Sequence, residues 1–293
     1  NASRSSYAGI GILKSINNGA SWTNVGLMDA HHFAPILIHP DNPDVVVVGA
    51  TGHLYSANDQ RGIFKTTNGG KTWKQSLFVD AMSGVIDLQY SPSNYNVMFA
   101  TSWTKDRKAW NFTGNGNNSG IYKRTDAGDT WTKVSTKKRG FPTGDGVGRI
   151  GVAVFNDDIV YAIHDSQFRR PDDKKKDIKR GLTKDDFKTM SNTDFLALED
   201  KKLNGFLKTN GFQEKHRAEK IKQMVRSGNL KPIDLAKYLE DANSMLFDTP
   251  VVGAEVYKST DGGKSWKKTH SDYLDGIYYS YGYYFGHVHV SPV

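Results

Sequence analysis

Thr66-Thr-Asn68-Gly-Gly70-Lys-Thr72-Trp73 decides the fold, because the same pattern returns three more times without a gap. The other copies are Ser15-Ile-Asn17-Asn-Gly19-Ala-Ser21-Trp22, Arg124-Thr-Asp126-Ala-Gly128-Asp-Thr130-Trp131 and Ser259-Thr-Asp261-Gly-Gly263-Lys-Ser265-Trp266. Each follows an apolar lead, Gly11-Ile-Leu-Lys14, Gly62-Ile-Phe-Lys65, Gly120-Ile-Tyr-Lys123 and Glu255-Val-Tyr-Lys258, so the unit reads strand, tight turn, strand. The Asp or Asn side chain bonds backbone N–H groups of its own turn, Gly takes the positive φ that such a turn needs, and Trp anchors the returning strand. A repeat of this kind governs the whole architecture.

The pattern Ser/Thr-x-Asp-x-Gly-x-Thr/Ser-Trp resembles the Asp-box, and the chain is similar to the Asp-box (BNR) repeat proteins: sialidases, xyloglucan-cleaving hydrolases, sortilin and photosystem assembly factors. Asn17 and Asn68 depart from the Asp, and Arg124 from the opening hydroxyl. His39-Pro-Asp-Asn-Pro-Asp-Val-Val-Val-Val48, Arg61-Gly-Ile-Phe-Lys65 with the box that follows it, and Ser280-Tyr-Gly-Tyr-Tyr-Phe-Gly286 resemble large secreted bacterial proteins of the BNR-repeat or sortilin-like glycosyl hydrolase kind. The resemblance implies a mainly β chain folded as a β-propeller, and a secreted, periplasmic or cell-surface setting.

Tryptophan spacing supplies the repeat length. Trp22, Trp73 and Trp131 lie 51 and 58 residues apart, close to one four-stranded antiparallel blade, while Trp131 to Trp266 holds an insertion. The first full blade reads Phe33 to His39 (strand A), Val45 to Ala50 (B), Gly62 to Thr67 (C) and Thr72 to Leu77 (D). The second reads Val85 to Ser91, Val97 to Ser102, Ile121 to Thr125 and Thr130 to Val134. The third reads Ile150 to Phe155, Ile159 to Ile163, Ala254 to Ser259 and Ser265 to Thr269. A hairpin from Ile10 to Val25 precedes them, and a strand from Tyr284 to Val290 follows. The expectation is a partial propeller whose remaining blades belong to a longer parent chain, with residues 1–166 as blades, 167–249 as an α-helical insertion and 250–293 as blades again.

Composition separates the insertion from the rest. Residues 168–248 carry 19 Lys and Arg against 14 Asp and Glu, hold four of the five Glu, and contain no Trp. Thr183-x-x-Asp186 has the shape of a capping box, and a second start lies near Ser191 to Asp194. Phe195, Leu196, Leu198, Leu203, Phe206 and Leu207 recur at helical spacing, Gly211 and Gly228 fit helix ends, and helices are expected over Gln213 to Arg226 and from Pro232 to about Leu246. Because the insertion interrupts a B–C connection, it is expected over the ligand face. It is either a lid or docking element, or an exposed decoration whose Lys174-Lys-Lys176 is linker.

Strand alternation puts the boxes at one end of the blades and the B–C and D–A loops at the other. That second end collects His31, His32, Arg61, Trp103, Arg107, Trp110, Arg149, His164 and Asp165, and is the expected ligand face. Trp103, Trp110 and Arg107 either form a surface on which a sugar stacks or a peptide is clasped, or hold down a long B–C loop. Asn17, Trp22, Asn68, Trp73, Asp126, Trp131, Asp261 and Trp266 are expected to be structural box residues.

Several chemistries are excluded or left without support. The chain of 293 residues has no Cys, which removes thiol nucleophiles and Cys–zinc sites, and no apolar run long enough to cross a bilayer. Its formal net charge of +8 is mixed rather than gathered into a strip with an aromatic platform, so no nucleic-acid partner is expected. A glycosidase needs two carboxyls in different protonation states. Outside the insertion there is one Glu, Glu255, so any pair is Asp-based, drawn from Asp29, Asp59, Asp80, Asp106, Asp145, Asp165, Asp272 or Asp275. Sialidase features are missing, since Arg149-Ile150-Gly151 lacks the Pro of that family's signature. His31-His32 and His287-x-His289 find no third ligand at metal spacing, and no cofactor or metal is expected. Two functions remain: a non-catalytic module binding glycan or protein, which is preferred, and a glycoside hydrolase with paired Asp.

Overall fold

β-Branched runs such as Val45-Val-Val-Val48 favour extended backbone, and box-type turns break them at regular intervals. The computed structural model describes residues 7–108, 112–126, 130–168, 181–210, 212–239, 253–272, 274 and 286–291. The chain divides into two compact units, residues 1–169 with 249–293, and residues 170–248.

The first unit is built of antiparallel sheets. A hairpin of β1 (Leu13–Lys14) and β2 (Thr23–Asn24) comes first. Three four-stranded meanders follow, the first from β3 (Phe33–His39), β4 (Asn42–Ala50), β5 (Gly62–Thr66) and β6 (Lys74–Leu77). In the second, β7 (Ser83–Ser91) and β8 (Asn94–Thr104) are separated from β11 (Gly120–Arg124) and β12 (Thr132–Lys133) by a small hairpin of β9 (Asp106–Arg107) and β10 (Phe112–Thr113). The third is β13 (Val147–Val154), β14 (Val160–Ser166), β15 (Gly253–Ser259) and β16 (Lys267–Lys268). Among the described residues the sheets close into no ring.

Some boundaries differ from those expected. The fourth strands shrink to Thr132–Lys133 and Lys267–Lys268. Residues before them hydrogen-bond within the box turn instead of joining a ladder. The first hairpin is likewise confined to two residue pairs. Residues 286–291 form no strand where the last one was expected, and 284–285 lie outside the described residues.

The box turns show why Asn replaces Asp twice. In the fourth copy Ser259 Oγ donates to Asp261 Oδ1 at 2.8 Å, and that oxygen also accepts from Ser265 N at 2.8 Å. Asp261 Oδ2 accepts from Ser265 Oγ at 2.5 Å. In the second copy Asn68 Oδ1 accepts from Thr66 Oγ1 and Thr72 N, and the last bond simply reverses, Asn68 Nδ2 donating to Thr72 Oγ1 at 2.8 Å. Asn17 does the same with Ser21. Asp126 accepts from Thr130 Oγ1, but residues 127–129 of that copy lie outside the described residues. Its opening Arg124 is buried, with the guanidinium 5.7 Å from the Trp131 ring. Gly70 has φ of 91°, and a Cβ there would stand 2.8 Å from Val25, so both conformation and space require glycine.

The box tryptophans tie neighbouring repeats together rather than closing their own hairpins. Trp73 Nε1 donates to Val25 O at 2.6 Å, Trp131 Nε1 to Ser76 Oγ at 3.2 Å, and Trp266 Nε1 to Val134 O at 3.1 Å. In each case the acceptor belongs to, or directly follows, the fourth strand of the preceding repeat. Trp22 has no such acceptor among the described residues and is 60% exposed.

First strands are also clasped across the sheet boundary. Asp87 Oδ2 accepts from Val152 N at 3.0 Å, Gln89 Nε2 donates to Val152 O, and Gln89 Oε1 accepts from Val154 N. These side chains on β7 satisfy the free edge of β13. Apolar layers fill the space between sheets: Val47, Ile63, Val85, Leu88, Met98 and Ala100 in one, and Phe99, Ile121, Phe141, Val152, Tyr257 and Trp266 among others in the next.

The second unit has α1 (Asp186–Thr189), α2 (Asn192–Ala197), α3 (Asp200–Thr209), α4 (Ala218–Arg226) and α5 (Pro232–Leu239). Asp186 Oδ2 accepts from Thr183 N, and Ser191 Oγ accepts from Asp194 N, as the capping patterns predict. Helix α4 starts at Ala218 rather than Gln213, because the preceding segment turns and Arg217 Nη1 donates to Phe212 O and Gln213 O. Gly211 and residues 240–252 lie outside the described residues. Phe187, Phe195, Leu203, Phe206, Leu207, Ile221, Val225 and Leu235 form the core, with Leu196 and Leu198 partly buried at its edge.

Candidate functional site

Loops between second and third strands, and loops between one sheet and the next, meet at the end of the sheets away from the box turns. Thr51 N donates to His32 O, Asn58 N to Ala81 O, Lys105 N to Met82 O, and Gly116 N to Val147 O. Arg61 is the organiser of the first B–C loop. It is 1% exposed, and its guanidinium donates to Thr51 O, Met82 O, His53 O and Ser56 O. Arg61 therefore builds the loop face from beneath and does not lie on it.

At the surface of this loop the fold assembles a cluster that sequence spacing did not reveal. The His31 and His53 rings stack with centroids 3.8 Å apart and planes 13° from parallel. His53 Nε2 lies 3.2 Å from Asp29 Oδ1, and His53 Nδ1 lies 2.8 Å from Ser56 Oγ. Asn58 joins the two contributing segments, its Nδ2 donating to Asp29 O and its Oδ1 accepting from His53 N. Burial lowers the pKa of His31, the neighbouring His53 lowers it further, and Asp29 offsets part of this. His32 points elsewhere, its Nδ1 3.1 Å from Gly52 O. Tyr55, on the same loop, is 46% exposed.

Trp103 occupies the interior instead of the surface. It is 2% exposed, packs with Ile86 and Phe112, and donates from Nε1 to Gly114 O at 2.6 Å. Of its two roles left open, holding the long loop is the one it fills. Arg107 is buried 5.3 Å from the Phe112 ring, so the β9–β10 hairpin carries its own small core. Trp110 lies outside the described residues.

Beneath the loops runs a buried polar layer. The Lys105 ammonium sits 5.3 Å from the Trp103 ring, and burial, followed by Arg107, Arg61 and Arg149, pushes its pKa down to about 7. Arg149 is buried, with Nη2 3.0 Å from His287 Nε2. His164 is fully buried, with Nδ1 3.3 Å from Glu255 Oε2. Asp165 is fully enclosed as well, and burial raises its pKa to about 6 against the opposing pull of His164, Gln167 and Arg149. Asp87 is raised too, first by burial, although it bonds two backbone N–H groups. Asp80 is shifted the other way: bonds from Met82, Asn118 and Ser83 outweigh burial and keep it ionised. Thus, among the described residues, the two carboxyls shifted toward the acid form are both sealed from solvent.

Glu255 yields a pH prediction. Burial alone would raise its pKa, but hydrogen bonds from His164 and Lys268 reverse this and hold it at about 2, below its ordinary 4.5. A depressed carboxyl contributes stability above its unfolded pKa and loses it as pH falls toward the folded value. Glu255→Gln is therefore expected to be destabilising at pH 6 and indistinguishable from wild type near pH 2. Denaturant melts across that window check this, and a constant difference between the two proteins would contradict it.

No protein-family model matches the chain, and no curated protein matches its sequence. Among solved structures it is similar to a GH74 enzyme from Niastella koreensis, with TM-score 0.46 and 15% identity over 88% of this chain and 26% of that one. A GH74 xyloglucanase from Xanthomonas campestris gives TM-score 0.45 and 15% identity over 90% of this chain and 27% of that one. A protein of unknown function from Dyadobacter fermentans gives TM-score 0.27 and 17% identity over 52% and 43%. The chain spans about a quarter of the length of the two GH74 structures.

Proposed function

We propose that the chain is a portion of an Asp-box β-propeller that binds a glycan or protein ligand on its loop face without cleaving it, within a secreted, periplasmic or cell-surface protein. Support for the propeller comes from three meanders of identical strand order and from the tryptophan ties between successive repeats. The exposed Trp22 supports a further blade from the parent chain beside the first hairpin. One observation favours the binding reading over the hydrolase: among the described residues, the carboxyls displaced toward the acid form, Asp87 and Asp165, are buried where no polysaccharide reaches. Tyr55 and the paired imidazoles supply flat faces on the open side, suited to a sugar ring.

A glycan array probed with the chain, run beside hydrolysis of the same glycans, tests this. Binding without product, weakened about tenfold or more in Tyr55→Ala, is the expected result. Released sugar would replace binding with the paired-Asp hydrolase. Neither binding nor release would turn the search to protein ligands.

A further inference from the structure

We propose that Asp29, His31 and His53 form a binding site for a divalent transition-metal ion of the zinc class. One ligand atom from each of the three lies within 4.8 Å of the other two. Donors around a common zinc at about 2.0–2.2 Å stand roughly 3.3 Å apart, so binding requires the donors to close by about 1.5 Å or less and the His31 and His53 rings to turn out of their stack until both lone pairs meet at the ion. Two imidazoles with one carboxylate suit zinc and its neighbours, whereas calcium and magnesium favour all-oxygen sets. Three protein ligands leave a fourth position for water or a ligand group, and Asp29 itself is exposed.

The surroundings are those of a held site. Metal-bound histidines commonly donate their second N–H to a neighbouring oxygen, and His53 Nδ1 has Ser56 Oγ at 2.8 Å. In the free protein Nε2 donates its proton to Asp29, and an ion binding between them would displace that proton while Nδ1–H turns to Ser56 Oγ. Asn58 fixes the two segments to one another, and Arg61 fixes the loop from below. Backbone strain is concentrated here as well. Leu27 and His31, with φ of 58° and 53°, bracket the single turn Met28–Ala30 that presents Asp29. Non-glycine residues take this conformation at a cost, and the turn it produces brings Asp29 and His31 beside His53. The site requires neither the glycan reading nor its failure.

Untagged full chain, stripped with chelator, is titrated with zinc ions by calorimetry, and separately with cobalt(II) to read ligand-field absorption. One equivalent bound with micromolar or tighter affinity is expected. His31→Ala and His53→Ala are each expected to weaken zinc about 30-fold or more, and Ser56→Ala by about tenfold. His289→Ala serves as the control and is expected to bind as wild type. Melting without metal identifies any variant that has lost its fold. For such a variant, His31→Gln, which removes the imidazole and keeps a polar side chain, takes its place. No zinc uptake by the wild type on the order of 100 μM, or uptake unchanged in a folded His31→Ala/His53→Ala double variant, overturns the proposal.

Discussion

Replacing Trp266 with alanine is expected to lower the unfolding free energy of the sheet unit by about 3–5 kcal/mol. The side chain is 3% exposed, packs edge-on against Phe141 with centroids 5.5 Å apart, and donates to Val134 O in the preceding repeat. Removing it opens a large cavity at a sheet-to-sheet boundary and leaves a carbonyl without its donor. Trp22 holds the same place in the repeat but stands in solvent, so Trp22→Ala is expected to cost under about 1 kcal/mol. Because all six Trp lie outside residues 168–248, tryptophan fluorescence in a urea titration follows the sheet unit alone. Equal effects of the two substitutions would show that the box Trp acts within its own hairpin after all.

Arg61→Ala is the second large effect, expected at about 3–5 kcal/mol. Four backbone carbonyls, from Thr51, His53, Ser56 and Met82, converge on one buried guanidinium. Without it four carbonyls lose a donor, and the loop from His53 to Ser56 is left with the Asn58 bonds and buried Leu54 to hold it from below. Amide exchange in residues 52–58 is expected to accelerate far more than in β4 or β5, and zinc uptake to fall with it. Arg61→Lys is not a conservative change here, since a single ammonium cannot span four acceptors. Exchange that rises uniformly through the first sheet would mean that Arg61 supports the sheet and not the loop.

What was legible in the sequence is what is local. The box turns close within five residues, so Asn17, Asn68 and Asp261 announce their bonds by spacing alone. Strand order follows from those turns, since strands joined by a tight turn pair with one another. The partners of the box Trp were not legible, because Val25 and Val134 lie 48 and 132 residues away from Trp73 and Trp266. Both roles of Trp103, stacking surface or loop anchor, stayed open in the sequence because nothing in Lys105 to Thr113 marks the β9–β10 hairpin that buries it. Arg61 misled for a related reason: a charged residue in a loop suggests the surface unless its carbonyl acceptors are known. His31-His32 lacked a third ligand in sequence, and the fold supplies His53 from the next loop, 22 residues on. A signal was nonetheless present, since His53, Ser56 and Asn58 fall in the one loop that Arg61 gathers.

The direction of the tryptophan ties bears on how the protein is made. The indoles of Trp73, Trp131 and Trp266 all reach backward, so each acceptor has left the ribosome before its Trp emerges, and each repeat can dock on a finished template during synthesis. The third sheet breaks that rhythm. Its β14 ends at Ser166 and its β15 begins at Gly253, so a half-built sheet waits while the helical unit is translated. At 5–20 residues per second that pause lasts roughly 4–17 s, during which the edge of β14 has no partner. A chaperone that shields unpaired strand edges has its natural moment of action there.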